Sequence, residues 1–198
     1  MHLGDLEHLL GKLKFGEASE LRDACSEIMR RWKDIQVEPL LKLKKQFQKM
    51  DMEQREANLD EALISVAEKR LKPFLDMVSQ PGHPLWKAAT EVVSMVDDPS
   101  VLEFLILLLR DSPKESLPDL LKAIGHFNTG KAREALLNYL NDPEEEVMFE
   151  AVMALRVMGG SGVLGHFKDA LAARRREGAQ AAVSVLDEAI RELEIQAL

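Results

Sequence analysis

The five histidines are the first candidates for metal or acid–base chemistry, because imidazole is both a common metal ligand and a common proton carrier. Gly-His-Phe occurs twice, at 125–127 and 165–167, but these tripeptides are 40 residues apart and share no position in the 31-residue interval described below. A metal site needs several ligands at fixed spacing. We therefore predict isolated surface histidines, without a metal or other cofactor, at His2, His8, His83, His126 and His166.

The possible nucleophiles and paired carboxylates are also better explained by structure. The single cysteine, Cys25, lies on one apolar helix face with Leu21, Ile28 and Trp32, which predicts a buried structural thiol. The acidic run at 144–146 is typical of a helix start, where carboxylates face the positive end of the helix dipole. No Ser/His/Asp set, Cys/His pair or phosphate-binding glycine loop occurs in the sequence, so we expect no enzyme activity.

The composition favours a compact all-α chain. Of 198 residues, 46% are hydrophobic, 30% are charged and 5% are aromatic, with 8 prolines and 11 glycines. A net charge of −8 argues against nucleic acid as a partner, since binding to phosphates needs cationic surface. The most apolar run, Val101–Leu109, is too short to span a bilayer. A single cysteine suits a reducing compartment, and we expect the protein in the cytoplasm, without a membrane partner.

Residues 1–66 are predicted to form an N-terminal helical region. Its third helix opens near Glu38-Pro39 and carries a seam of Leu40, Leu43, Phe47 and Met50. Its four lysines are predicted to form a solvated face, and a patch that binds an anionic ligand is the alternative. These lysines are Lys42, Lys44, Lys45 and Lys49. The polar stretch at 50–60 predicts a turn with a new N-cap, and a continuous helix is the alternative.

Residues 67–198 are predicted to be a repeat array. Asp98–Asn128 and Thr129–Gly159 are two copies of one 31-residue unit whose apolar positions coincide, for example Leu105 with Leu136 and Ile124 with Leu155. A partly degenerate copy near 67–97 and a terminal copy near 160–194 bring the number to about four. Two short helices cannot bury their own apolar face, so such copies must stack into an α-solenoid.

The segment Val147–Gly159, VMFEAVMALRVMG, follows Asp142-Pro143 and resembles the short HEAT-like repeat first associated with phycobilisome bilin lyases. The resemblance covers about 67–194 and implies a right-handed solenoid whose second helices line the inner, concave face. Met148 stands where this repeat usually has an arginine. Related solenoids include di-iron hydroxylases, which use His-Glu pairs, but this sequence contains no His-Glu dipeptide.

One surface column departs from the pattern of the resembled family, in which charged residues are expected at these slots. The first slot is apolar in every copy, the next slot holds Lys87 and Phe149, and a slot four residues further on holds Lys122 and Met153. We predict that a partner binds along this concave face, through Trp86, Lys87, Leu117, Lys122, Met148, Phe149 and Met153. Two alternatives stay open: the N-terminal helices cover the column as core, or the column forms a small-ligand pocket.

The resulting expectation is a non-catalytic scaffold or adaptor that binds another protein of unknown identity. The alternative from a different functional class, implied by the resemblance, is a bilin lyase-like protein that handles tetrapyrroles. An apolar groove with a few cationic anchors would serve either ligand.

Overall fold

Every regular element that the computed structural model describes, over residues 3–159 and 161–196, is helical. Within those ranges the twelve α-helices are α1 Leu3–Phe15, α2 Ala18–Arg30, α3 Val37–Lys49, α4 Glu53–Lys69, α5 Lys72–Val78, α6 Trp86–Ser94, α7 Pro99–Asp111, α8 Leu117–Gly125, α9 Gly130–Leu137, α10 Glu145–Met158, α11 Ser161–Glu177 and α12 Gln180–Gln196. The predicted all-α class, built of helical hairpins, is confirmed.

The helices group into two compact units, Met1–Asp98 and Pro99–Leu198. The predicted boundary at residue 67 marks where the repeat pattern begins, whereas the boundary after Asp98 divides the chain by contacts. Hairpin α5–α6 follows the repeat pattern but packs with the N-terminal helices, since α6 contacts both α3 and α4. The division into 1–66 and 67–198 therefore stays a prediction about repeats, and the compact units are described separately below.

In unit 1, α4 packs against α2 and α3, while α1 packs against α2. The core includes Leu13, Ile28, Leu40, Phe47 and Leu63, none of which has measurable exposure. The predicted break after α3 is present, and the continuous-helix alternative is wrong. Asp51 adopts a φ of 54° there, and Met52 rather than a polar side chain precedes α4.

Lys44 corrects the prediction that the four lysines of α3 form a solvated face. Its side chain is only 3% exposed, and its ammonium lies 2.8 Å from Glu56 Oε1 and 2.9 Å from Asp60 Oδ2, both on α4. A third carboxylate, Glu91 on α6, is 3.3 Å away. Lys44 is buried because it shares the face of α3 that packs on α4, and its charge is retained because three carboxylates surround it.

In unit 2, the hairpins α7–α8, α9–α10 and α11–α12 repeat the same pattern. Their first helices begin 31 residues apart, at Pro99, Gly130 and Ser161. Second helix α10 contacts both α8 and α12, and first helices α7 and α9 contact each other, so the second helices form one layer and the first helices another. The matched apolar positions are the core: Leu105, Leu136, Ile124 and Leu155 have no measurable exposure.

The ends of the second helices follow the sequence pattern only in part. Gly159 has the positive φ of 64° expected just after a helix, but its ψ of −165° is extended and not left-handed helical, a combination that only glycine adopts without steric penalty. Asp97 and Asn128 occupy the same repeat position but do not have positive φ. The start of α10 agrees with the prediction. Glu144 precedes the helix, and Glu145 and Glu146 lie in its first turn.

Candidate functional site

The first slot of the predicted column is buried, not exposed. Trp86, Leu117 and Met148 are 5%, 8% and 2% exposed. At Trp86 the cause is visible, because the indole Nε1 donates a hydrogen bond of 2.8 Å to the carbonyl oxygen of Val78 in α5. The slot is the first residue of α6 and of α8 and the fourth residue of α10, and the Trp86 side chain faces the first helix of its own hairpin. These three residues are therefore core in this conformation and offer no surface to a partner.

The other two slots do reach the surface. Lys87 and Lys122 are exposed, Phe149 is 39% exposed and Met153 is partly exposed. Lys87 already has a polar or electrostatic interaction within the protein. Phe149 and Met153 are one helical turn apart on α10 and so lie on the same face.

A further residue, Val157, extends this face and was missed by sequence reasoning. It is 79% exposed and follows Met153 by four residues. The spacing i, i+4, i+8 places Phe149, Met153 and Val157 in one line. That spacing was the available signal, but it was hidden because neighbouring positions of α10 are equally apolar. We call these three residues the apolar stripe of α10.

The apolar stripe borders a groove of about 350 Å³ between α8 and α10. The floor includes a close approach of the two helices at Gly125 and Ala154, where a Cβ on Gly125 would lie 2.7 Å from the Ala154 Cβ. Only glycine permits this approach, and the small residue leaves space above it. The complete lining is Lys122, Gly125, His126, Phe149, Glu150, Met153, Ala154 and Val157.

The two walls of the groove differ in chemistry. The α10 wall carries the apolar stripe, whereas the α8 wall carries Lys122 and, at the end of the helix, His126. Glu150 also lines the groove, and both Glu150 and His126 already have interactions within the protein. The groove can therefore take an apolar surface on one side and a negatively charged group on the other.

In unit 1, a helix contacts the third slot of the equivalent face. Glu91 stands 31 residues before Lys122 and 62 before Met153, in the same repeat position. Its Oε2 accepts a hydrogen bond of 2.9 Å from Gln48 Nε2 and lies 3.3 Å from Lys44 Nζ, both on α3. In hairpin α5–α6, α3 therefore contacts this slot from the N-terminal part of the chain.

The charges around Lys44 are strongly coupled. Burial alone would lower the pKa of Lys44, but hydrogen bonds to Glu56 and Asp60 outweigh burial, and the pKa is raised. Burial raises the pKa of Asp60, although Lys44 opposes this effect. The Asp60 Oδ1 atom is buried and accepts no hydrogen bond. The Lys44 ammonium thus forms ion pairs with three carboxylates, and the cluster has a formal charge of −2 when all four groups are ionised.

The remaining chemical candidates do not assemble into a reactive centre in the described part of the chain. Cys25 is a buried free thiol, and burial together with the nearby charge of Glu61 raises its pKa to about 11. Within residues 3–159 and 161–196, no three His, Cys, Asp or Glu side chains are arranged to hold a metal ion. Nor does any helix in these ranges have the length and apolar character needed to cross a membrane.

The stacked hairpins of unit 2 define a helical-repeat protein. Residues 102–187, somewhat less than half of the chain, match the family described as HEAT repeats, and the hairpins of this segment are HEAT-like. The bilin lyase type of such repeats stays a prediction.

Among curated proteins, none matches this sequence. A crystal structure of an engineered protein from the Northeast Structural Genomics Consortium is similar at 15% identity, with a TM-score of 0.45, over 98% of this chain and 97% of that chain. A similarity of this size adds nothing to the argument for the fold.

Proposed function

We propose that this chain is a non-catalytic scaffold or adaptor that binds another protein at the α8–α10 groove. The observation that carries the proposal is the apolar stripe. Its residues lie outside the core of unit 2, and the slots of Phe149 and Met153 are charged in typical repeats of this kind. Exposed apolar side chains that line a groove are a common feature of protein-binding surfaces. HEAT repeats in general mediate protein interactions.

The proposal narrows the predicted binding face. Trp86, Leu117 and Met148 are core, and Lys87 is excluded because it lies in unit 1. Lys122, Phe149, Met153 and the added Val157 form the proposed contact surface. We also place the protein in the cytoplasm, because a single buried thiol needs no oxidising compartment.

The test is site-specific photo-crosslinking in the native host. A photoreactive amino acid at position 149 or 153 should give discrete crosslinked species with other proteins. The control position is Leu107 on α7, an equally apolar side chain that is 58% exposed but lies in the first-helix layer. Crosslinks at 149 and 153 that are absent at 107 support the proposal. Equal patterns at all three positions, or no crosslinks at 149 and 153, contradict it.

A stability measurement separates binding from folding. The double variant Phe149→Ser, Met153→Ser should lose partner capture while its melting temperature falls by only a few degrees, because both side chains are already partly in water. A fall of more than about 8 °C would show that the stripe is structural. The matched control Leu107→Ser should change neither property appreciably.

A further inference from the structure

The structure of unit 1 shows what kind of element fits the second-helix face. There α3 lies against α4 and α6. Two of its residues one turn apart, Lys44 and Gln48, both contact Glu91 on α6. The occupant is thus an α-helix whose charge is opposite to that of the slot residue. At the equivalent position in unit 2 the slot residue is Lys122 on α8 and Met153 on α10.

The side chains that a partner helix needs in unit 2 therefore differ from those of α3. Met153, with Phe149 and Val157, requires apolar side chains at helical spacing on the partner. Lys122, on the opposite wall, requires a carboxylate on one flank of that apolar face. A groove this open suits a helix better than a small molecule, since Val157 is 79% exposed and small-ligand pockets bury most of their ligand.

We propose that the occupant of the α8–α10 groove is a single amphipathic α-helix of the partner protein, with apolar residues facing the stripe of α10 and acidic residues on the flank that faces Lys122. This inference rests on the proposed function and adds the chemistry of the partner. It also predicts that the groove prefers an acidic helix to a basic one, although the whole chain has a net charge of −8.

The test uses three synthetic 16-residue helical peptides and fluorescence anisotropy. The first has leucines at i, i+4 and i+7 with glutamates on one flank; the second has lysines in place of those glutamates; the third has serines in place of the leucines. We expect the acidic peptide to bind about threefold to fivefold more tightly than the basic one, as one exposed ion pair allows. The serine peptide should not bind detectably.

Protein variants assign the selectivity to the groove. Lys122→Glu should weaken binding of the acidic peptide about fivefold to tenfold and reverse the preference. Lys131→Glu, on α9, is the matched control, because it makes the same change in net charge at an exposed lysine outside the groove. Phe149→Ser should weaken both leucine peptides about tenfold or more.

Several outcomes overturn the inference. No binding of the leucine peptides at about 1 mM, no charge preference, or a preference that Lys131→Glu changes as much as Lys122→Glu would each do so. Binding of biliverdin that Phe149→Ser abolishes, without peptide binding, would assign the groove to a small ligand. A dimer lost in the Phe149→Ser, Met153→Ser variant would assign it to a second copy. Crosslinking specific to positions 149 and 153 with a non-helical or basic partner segment would refute this inference and leave the proposed function intact.

Discussion

Replacement of Lys44 by methionine should destabilise unit 1 more than any other lysine substitution in α3. Methionine keeps an unbranched apolar stem of similar length but removes the ammonium. Glu56, Asp60 and Glu91, whose side chains are 21%, 19% and 24% exposed, would then face one another without a cation. Removal of one partner from a buried ion pair typically costs about 3–5 kcal/mol.

The structure sets a limit on this cost at neutral pH. Asp60 already has a raised pKa, and it can relieve the repulsion by taking up a proton. To protonate a carboxyl of ordinary pKa 3.8 at pH 7 costs about 4 kcal/mol. We therefore expect Lys44→Met to lower the free energy of unfolding by about 3 kcal/mol at pH 7.

The loss should depend on pH in a defined direction. In the variant the folded-state pKa of Asp60 is raised further above its unfolded value, so the folded state binds the proton more tightly. Stability is then regained as pH falls and lost as pH rises through the folded pKa. At pH 5 the proton costs only about 2 kcal/mol, and the difference from the native protein should shrink to that size or less.

Urea unfolding followed by tryptophan fluorescence measures this effect in the correct unit, because both tryptophans, Trp32 and Trp86, lie in residues 1–98. Lys42→Met is the control: its ammonium is 3.9 Å from Glu38 and both side chains are more than half exposed, so the change should stay within about 0.5 kcal/mol. A loss below about 1 kcal/mol for Lys44→Met, or a loss that does not change between pH 7 and pH 5, would refute the reasoning.

Two further predictions concern packing and reactivity. Gly125→Ala should destabilise unit 2 by about 1–3 kcal/mol, because the new Cβ overlaps Ala154. Adding Ala154→Gly to the same chain should recover part of the loss. Urea unfolding followed by circular dichroism measures the stability of both variants. Cys25 should react with a disulfide reagent at pH 8 far more slowly in the native protein than in urea, since burial and Glu61 hold its pKa near 11; equal rates in both conditions would contradict this.

The repeat architecture could be predicted because it depends on local pattern. The 31-residue spacing identified first helices that begin at Pro99, Gly130 and Ser161, and the coinciding apolar positions proved to be core. The conformation at Asp97 and Asn128 could not be predicted in the same way. Aspartate and asparagine tolerate a positive φ but do not require it, whereas Gly159 adopts one without steric cost.

Lys44 was misjudged although the sequence carried a signal. It stands four residues after Leu40 and three before Phe47, on the apolar face of α3. Residue type and position give opposite predictions here, because lysine is rarely buried without a partner. The partners, Glu56 and Asp60, are themselves one helical turn apart, but their contact with Lys44 depends on how α3 packs against α4, which no local pattern specifies.

For a similar reason, the sequence predicts only in part which residues of the proposed contact face are exposed. Phe149 and Met153 were identified as departures from the repeat pattern, and the structure leaves both partly exposed. The same surface was predicted to include Trp86, Leu117 and Met148. The repeat register, however, determines only which residues of the copies are equivalent. The rotation of each helix about its axis decides which of them face water, and that rotation follows from tertiary packing.

The length of the apolar stripe has a consequence for the lifetime of any complex. From Phe149 to Val157 the stripe covers nine residues of α10, and the two end residues are about 12 Å apart along the helix axis. A contact this short belongs at the small end of protein interfaces, where dissociation constants of about 10 µM are ordinary. With association at about 10⁵–10⁷ M⁻¹s⁻¹, a partner would leave within about ten milliseconds to one second. The groove would then sample its partners repeatedly, and longer residence would require a second contact elsewhere on the chain.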